Sequence, residues 1–173
     1  YSGHVTATIS DTEMSKLTAI TETDAHVFTI NVKDTSVDST ELATLNANTT
    51  GVVTVDSTTV TGAIADIVKI YDTEKTGITG LGNETINVTG NVTVSQANDL
   101  SGYSTGTVTA SLAKASLSSF DALLTSTDNY KIEINDTSVN ASALAALDAK
   151  TAATVKADDV TSISGALSDI KAL

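Results

Sequence analysis

Residues 130–150, YKIEINDTSVNASALAALDAK, have a near copy a hundred positions upstream in residues 28–48, FTINVKDTSVDSTELATLNAN. Both open on alternating apolar residues, Ile30 and Val32 in one, Ile132 and Ile134 in the other, and the period of two predicts a strand with one face inward. A Asp-Thr-Ser turn follows, then Val37 or Val139, then a helix-capping type, Asp38 or Asn140. Leu42 and Leu45, or Leu144 and Leu147, then sit three apart, which puts both on one face of a short helix. A chain that repeats this order is constrained to stack copies of one strand–turn–helix segment.

Markers for the strands extend the pattern along the chain. The series Ile9, Val32, Val55, Val88, Ala110, Ile134 and Ala157 has steps of 23, 23, 33, 22, 24 and 23. The expected fold is therefore α/β: a right-handed β/α solenoid, LRR-like, of about seven coils of 22–24 residues sharing one parallel sheet. Its core should hold Ile30, Val32, Val37, Leu42, Leu45, Ile132, Ile134, Val139, Leu144 and Leu147. Helix starts are expected at Asp38 (with Glu41), at Ser95, at Ser118 (with Asp121) and at Asn140. Helix ends are expected at Gly51, Gly77 and Gly106 in the left-handed conformation. The long step leaves a surplus, residues 71–83, read as an insertion loop. Residues 1–173 thus read as one repeat domain, and, because the chain begins at Tyr1, as a fragment of a longer array.

Composition narrows the chemistry. Aromatics make up only 3% of the chain, so the interior is expected to be Val, Ile, Leu and Ala in thin layers. The abundance of Thr favours strands. No cysteine is available for a disulfide, a zinc cluster or a thiol nucleophile. A net charge of −12 leaves too few lysines to neutralise a nucleic acid or an anionic membrane surface, and no apolar run is long enough to cross a membrane.

The apolar positions 27, 30, 32 and 37, with Thr35 where a leucine-rich repeat places its turn Asn, resemble that family in spacing. The segments NDTSVNASALAALDAKT, VDSTTVTGAIADI and GITGLGNETINVT resemble the Thr/Ala/Asp/Val-rich tandem repeats of very large secreted or surface proteins of bacteria, cyanobacteria among them. The second resemblance implies a non-catalytic structural or adhesive module at the cell surface or outside the cell, as part of a filament, coat or giant adhesin, with a phage fibre or virion surface part as the rival. Its implied partners are copies of itself, stacked end to end or laterally, further repeats of the same chain, and surface polysaccharide; it carries no family catalytic residues.

Candidate sites are few. An outward sheet face bearing Thr29, Thr54, Thr85, Thr107 and Thr109 would make threonine ladders able to order ice-like water or present hydroxyls to a glycan, with Lys33, Lys131, Glu133 and Lys156 interrupting them. His4 and His26, 22 positions apart, should come together on neighbouring coils, but two imidazoles without a third ligand make an ordinary edge. Asp34 and Asp136 fit Asx-type turns, and Asp158 with Asp159 adds to an acidic surface, so no cofactor is expected beyond weak, non-specific calcium. Gly77, Gly80 and Gly82 match neither a P-loop nor a dinucleotide fingerprint. Sequons stand at Asn48, Asn83, Asn87, Asn91, Asn135 and Asn140. No arrangement of Ser, His and acid points to an enzyme.

Overall fold

The structure is a computed structural model describing residues 4–21 and 26–173. It divides into two compact units, one of residues 1–89 with 104–106, the other of residues 90–103 with 107–173. Every strand pairing given below is parallel, and paired residues lie between 20 (Thr109 and Asn129) and 26 (Thr59 and Thr85) positions apart.

In the first unit, β1 (Thr6–Thr8), β2 (Val27–Val32), β4 (Val53–Val55) and β6 (Ile78–Thr79) form a four-stranded sheet in that order. A second rank pairs β3 (Ser36–Asp38) with β5 (Thr59–Ala63) and β5 with residues 85–89 of β7 (Thr85–Val92), whose last three residues belong to the second unit. Short helices α1 (Met14–Leu17), α2 (Ser39–Ala47) and α3 (Ile64–Val68) follow, the last continued by a π-helical turn at Lys69–Thr73. Ile30, Val32, Val53, Val55 and Ile78 turn inward from one rank, and Val37, Val60 and Ile86 from the other. The second unit holds α4 (Val94–Leu100), β8 (Val108–Leu112) paired with β9 (Asn129–Lys131), a 3-10 turn at Leu117–Phe120, and β10 (Ser138–Asn140) paired with β11 (Ser162–Ser164). Helices α5 (Ala141–Asp148) and α6 (Leu167–Ile170) complete it.

The expected seven-coil solenoid on one parallel sheet is overturned. Among the described residues the strands fall into three separate sheets, of four, five and two strands, with six short α-helices. The physical reason is that each echoing segment carries apolar residues on both sides of its Asp-Thr turn and both sides form strands, Val27–Val32 and Ser36–Asp38 in one copy, Asn129–Lys131 and Ser138–Asn140 in the other, so a single sheet with one strand per coil cannot hold them. The 33-residue step from Val55 to Val88 joined two ranks: Val53 pairs with Ile78, while Ile86 pairs with Val60. The stretch 71–83, read as an insertion loop, holds β6, with Ile78 buried, and two glycines at positive φ, Gly80 and Gly82.

The two near copies build the same local structure. Nine of the ten expected core residues are buried, and Leu144 is half-buried. Asp38 caps α2 by accepting from the Thr40 and Glu41 amides, and Asn140 caps α5 by accepting from Ser142. Elsewhere the caps differ from expectation: Thr93, not Ser95, opens α4 through a reciprocal capping box with Gln96, and Ser118 lies inside the 3-10 turn, whose cap is Ser116. Gly51, Gly77 and Gly106 are not left-handed; positive φ occurs at Gly80, Gly82, Gly90 and Gly165. Gly51 and Gly106 are glycine because a Cβ would collide with the Phe28 and Glu84 carbonyls, against which the backbone is pressed. The interior also departs from pure aliphatics, since Tyr71, Phe120 and Tyr130 are buried.

Side-chain bonds between successive segments hold this arrangement. Asp34 Oδ2 accepts the Met14 amide at 2.7 Å, and Asp136 Oδ2 the Leu117 amide at 2.6 Å, so these aspartates reach the preceding segment rather than closing their own Asx turns. The Thr49 hydroxyl accepts the Phe28 amide (2.8 Å) and the Gly51 amide (3.0 Å) and faces the His26 and Phe28 carbonyls. Thr151 repeats this with the Tyr130 and Ala153 amides, and Ser104 donates to the Glu84 carbonyl while accepting from Gly106.

Candidate functional site

The outward threonines do not form one ladder. Thr29 is paired with Thr8, Thr54 with Asn31 and Thr79, Thr85 with Thr59, and Thr109 with Asn129; Thr107 precedes β8. Among the described residues one of the five touches another threonine through its hydroxyl, Thr54 Oγ1 lying 3.2 Å from Thr79 Oγ1. Register and rank are the causes: the pairing of Ile30 with Val53 sets Thr54 against Asn31 and not Thr29, and Thr85 pairs with Thr59 in the other rank.

Each unit instead carries an open groove along its outward strand positions. In the first, a groove of about 450 Å³ is lined by Asn31, Lys33, Thr54, Asp56, Thr58 and Asn83, among others. In the second, a groove of about 370 Å³ is lined by Asn91, Ser111, Lys114, Lys131, Glu133 and Lys156, with Thr154 beside them. The residues that read in the sequence as interruptions of a threonine face are thus brought together as groove linings. The signal that could have found them is the alternation itself, since Lys131 and Glu133, like Lys33, are outward positions flanking buried partners.

Electrostatics differ within the second groove. Lys114 Nζ bridges Glu133 (2.7 Å) and Asp159 (2.8 Å). Its bonds to Asp159 first and Glu133 second hold the ammonium well above the usual lysine range, so it stays protonated between the two carboxylates. Lys131 and Lys156 are exposed and make no ion pair among the described residues.

Two buried carboxylates lie in the unit interiors. Glu84 accepts from the Tyr71 hydroxyl and from the Gly82 and Asn83 amides. Asp128 accepts from the Val108 amide (2.8 Å) and Ser101 Oγ (2.6 Å), and the one Tyr130 hydroxyl proton is shared between the Ala97 carbonyl (2.6 Å) and Asp128 (3.1 Å). Burial, with the Asp128 charge, pushes the Tyr130 hydroxyl well above the tyrosine range. Carboxylates held by several donors at once serve as loop anchors. His26 is buried, its Nδ1 accepts the Val5 amide at 3.1 Å, and its ring packs against Phe28, whereas His4 is exposed. Among the described residues no group of three or more His, Cys, Asp or Glu is placed to hold a metal ion, and no helix is long and apolar enough to cross a membrane.

Comparison with protein-family models, with curated proteins and with solved structures found no match for this chain.

Proposed function

We propose that the chain is a non-catalytic structural or adhesive repeat module of an extracellular or cell-surface bacterial assembly, a filament, coat or giant adhesin. The observation that supports this is where its polar side chains are spent. Asp34, Asp136, Thr49, Ser104 and Thr151 all bond backbone 19 to 23 positions away, in the neighbouring segment. Polar groups used this way make length and stiffness.

Growth by stacking also suits the β11–α6 face. Val139 is 7% exposed where β11 covers it, while its register partner Ile163 is 43% exposed, and Leu167 (68%) and Ile170 (41%) lie beside it. A further segment of the same build, from the same chain or a second copy, would cover them. Sedimentation velocity over a concentration series tests this: the chain should self-associate, and Leu167→Asp should abolish association with circular dichroism unchanged. A chain that stays monomeric throughout, with antibody labelling only permeabilised source cells, would overturn the reading. The grooves favour adhesion to a glycan as the accompanying role.

A further inference from the structure

We propose that the lysine-lined groove of the second unit binds an anionic polysaccharide. The assignment rests on the adhesive reading above and deepens it by naming the ligand chemistry. All nine basic residues of the chain are lysines, set against 21 acids, yet three of the nine line this one groove. Lys114 is taken up by Glu133 and Asp159, a triad that carries one negative charge, so Lys131 and Lys156 are the cations a ligand would meet and leave the groove with one net positive charge on an otherwise acidic chain. They are close: Glu133 pairs directly with Lys156, and Lys131 stands two residues before Glu133, so the two lysine stems rise ~8 Å apart given strand spacing and rise. Flexible stems at that separation can converge on one carboxylate or sulfate, each ammonium acting as a point charge.

Hydroxyls stand beside the charges. Ser111 is the register partner of Lys131, and Thr154, two residues before Lys156, lines the same groove. Each can donate to and accept from sugar hydroxyls. No aromatic residue lines the groove, which removes both the stacking platform of a neutral-sugar site and the base-stacking platform of a single-stranded nucleic acid site. The remaining acidic surface repels a polyanion, so attachment is confined to the groove and falls with salt.

The test is isothermal titration of the whole chain with polygalacturonate, with a sulfated galactan, with dextran and with oligo-dT, at low and at physiological salt. One or both acidic glycans should bind, dextran and oligo-dT should not, and Lys131→Gln/Lys156→Gln should weaken binding at least about tenfold. Lys75→Gln, an exposed lysine of the first unit, should leave binding unchanged. Absence of binding to either acidic glycan, equal binding by the double variant, or oligo-dT binding as tightly would each overturn the proposal. Silence here with self-association intact sinks the groove alone, because stacking is read through Leu167.

Discussion

Replacing Thr49 by Val deletes one hydroxyl and nothing else, since the two side chains are nearly the same shape. That hydroxyl, 8% exposed as a residue, accepts two amides, of Phe28 at 2.8 Å and Gly51 at 3.0 Å, and can donate to the His26 or Phe28 carbonyl. Each amide left without a partner away from water costs about 1–2 kcal/mol. The extra buried methyl returns about 0.8 kcal/mol. The net loss is therefore about 1–3 kcal/mol, a fall in melting temperature of about 3–10 °C for a chain of this length. Thermal melts followed by far-ultraviolet circular dichroism measure it, with Thr49→Ser as the control that keeps the hydroxyl and loses only a methyl. Thr151→Val should show a similar loss, because Thr151 bonds the Tyr130 and Ala153 amides in the same way. If Thr49→Val melts within a degree or two of wild type, or Thr49→Ser falls as far, the bond between segments is not what Thr49 supplies.

Other expectations follow from single contacts. Asp34→Ala and Asp136→Ala each remove the acceptor of a neighbouring amide and should cost about 1–2 kcal/mol in urea titrations, with Asp158→Ala, on the exposed surface, near zero. Ser39 Oγ is buried and bonds to nothing among the described residues, so Ser39→Ala should leave stability unchanged or raise it by up to about 1 kcal/mol, whereas Gly62→Ala, whose Cβ would collide with that Oγ, should destabilise and be partly rescued in the double variant. The raised Tyr130 hydroxyl contributes stability that is fully present below the ordinary tyrosine value of about 10 and is lost as pH climbs through the higher folded-state value. The phenolate absorbance of wild type minus Tyr130→Phe should therefore stay flat through pH ~10 and rise only with unfolding, and a rise at the ordinary value would refute it.

Much of the local structure was legible because it depends on neighbours in sequence. Ile30, Val32, Leu42 and Leu45 announce their burial by spacing, and Asp38 and Asn140 their capping by type. What was not legible depends on which residue lies opposite. A period of two says that Ile86 faces inward, but only the partner strand says that it belongs with Val60 and not with Val53. Thr49 gave no local sign of its role because its contacts lie 21 to 23 positions back, beyond any local window, and Asp34 read as a turn for the same reason. The groove residues were seen singly, as charges spoiling a threonine face: the 23-residue step from Ile134 to Ala157 sets Lys156 opposite Glu133, but nothing in the chain order says that Lys114 bridges Glu133 to Asp159.

The buried acids follow from the shortage of aromatics. With four Tyr, two Phe and no Trp, each unit has few large side chains to fill its interior, and each sets a buried tyrosine against a buried carboxylate: Tyr71 with Glu84, Tyr130 with Asp128. A phenol there must find an acceptor, and a carboxylate must find donors, or each costs several kcal/mol. Pairing them lets the phenol proton serve both groups, wholly in the first unit and shared with the Ala97 carbonyl in the second, and the remaining carboxylate capacity takes up other donors, the Gly82 and Asn83 amides in one case, Ser101 Oγ and the Val108 amide in the other. Removing the tyrosine hydroxyl and removing the acid should therefore be strongly non-additive within either unit, and independent losses in a double-mutant cycle would show that the two groups are satisfied separately.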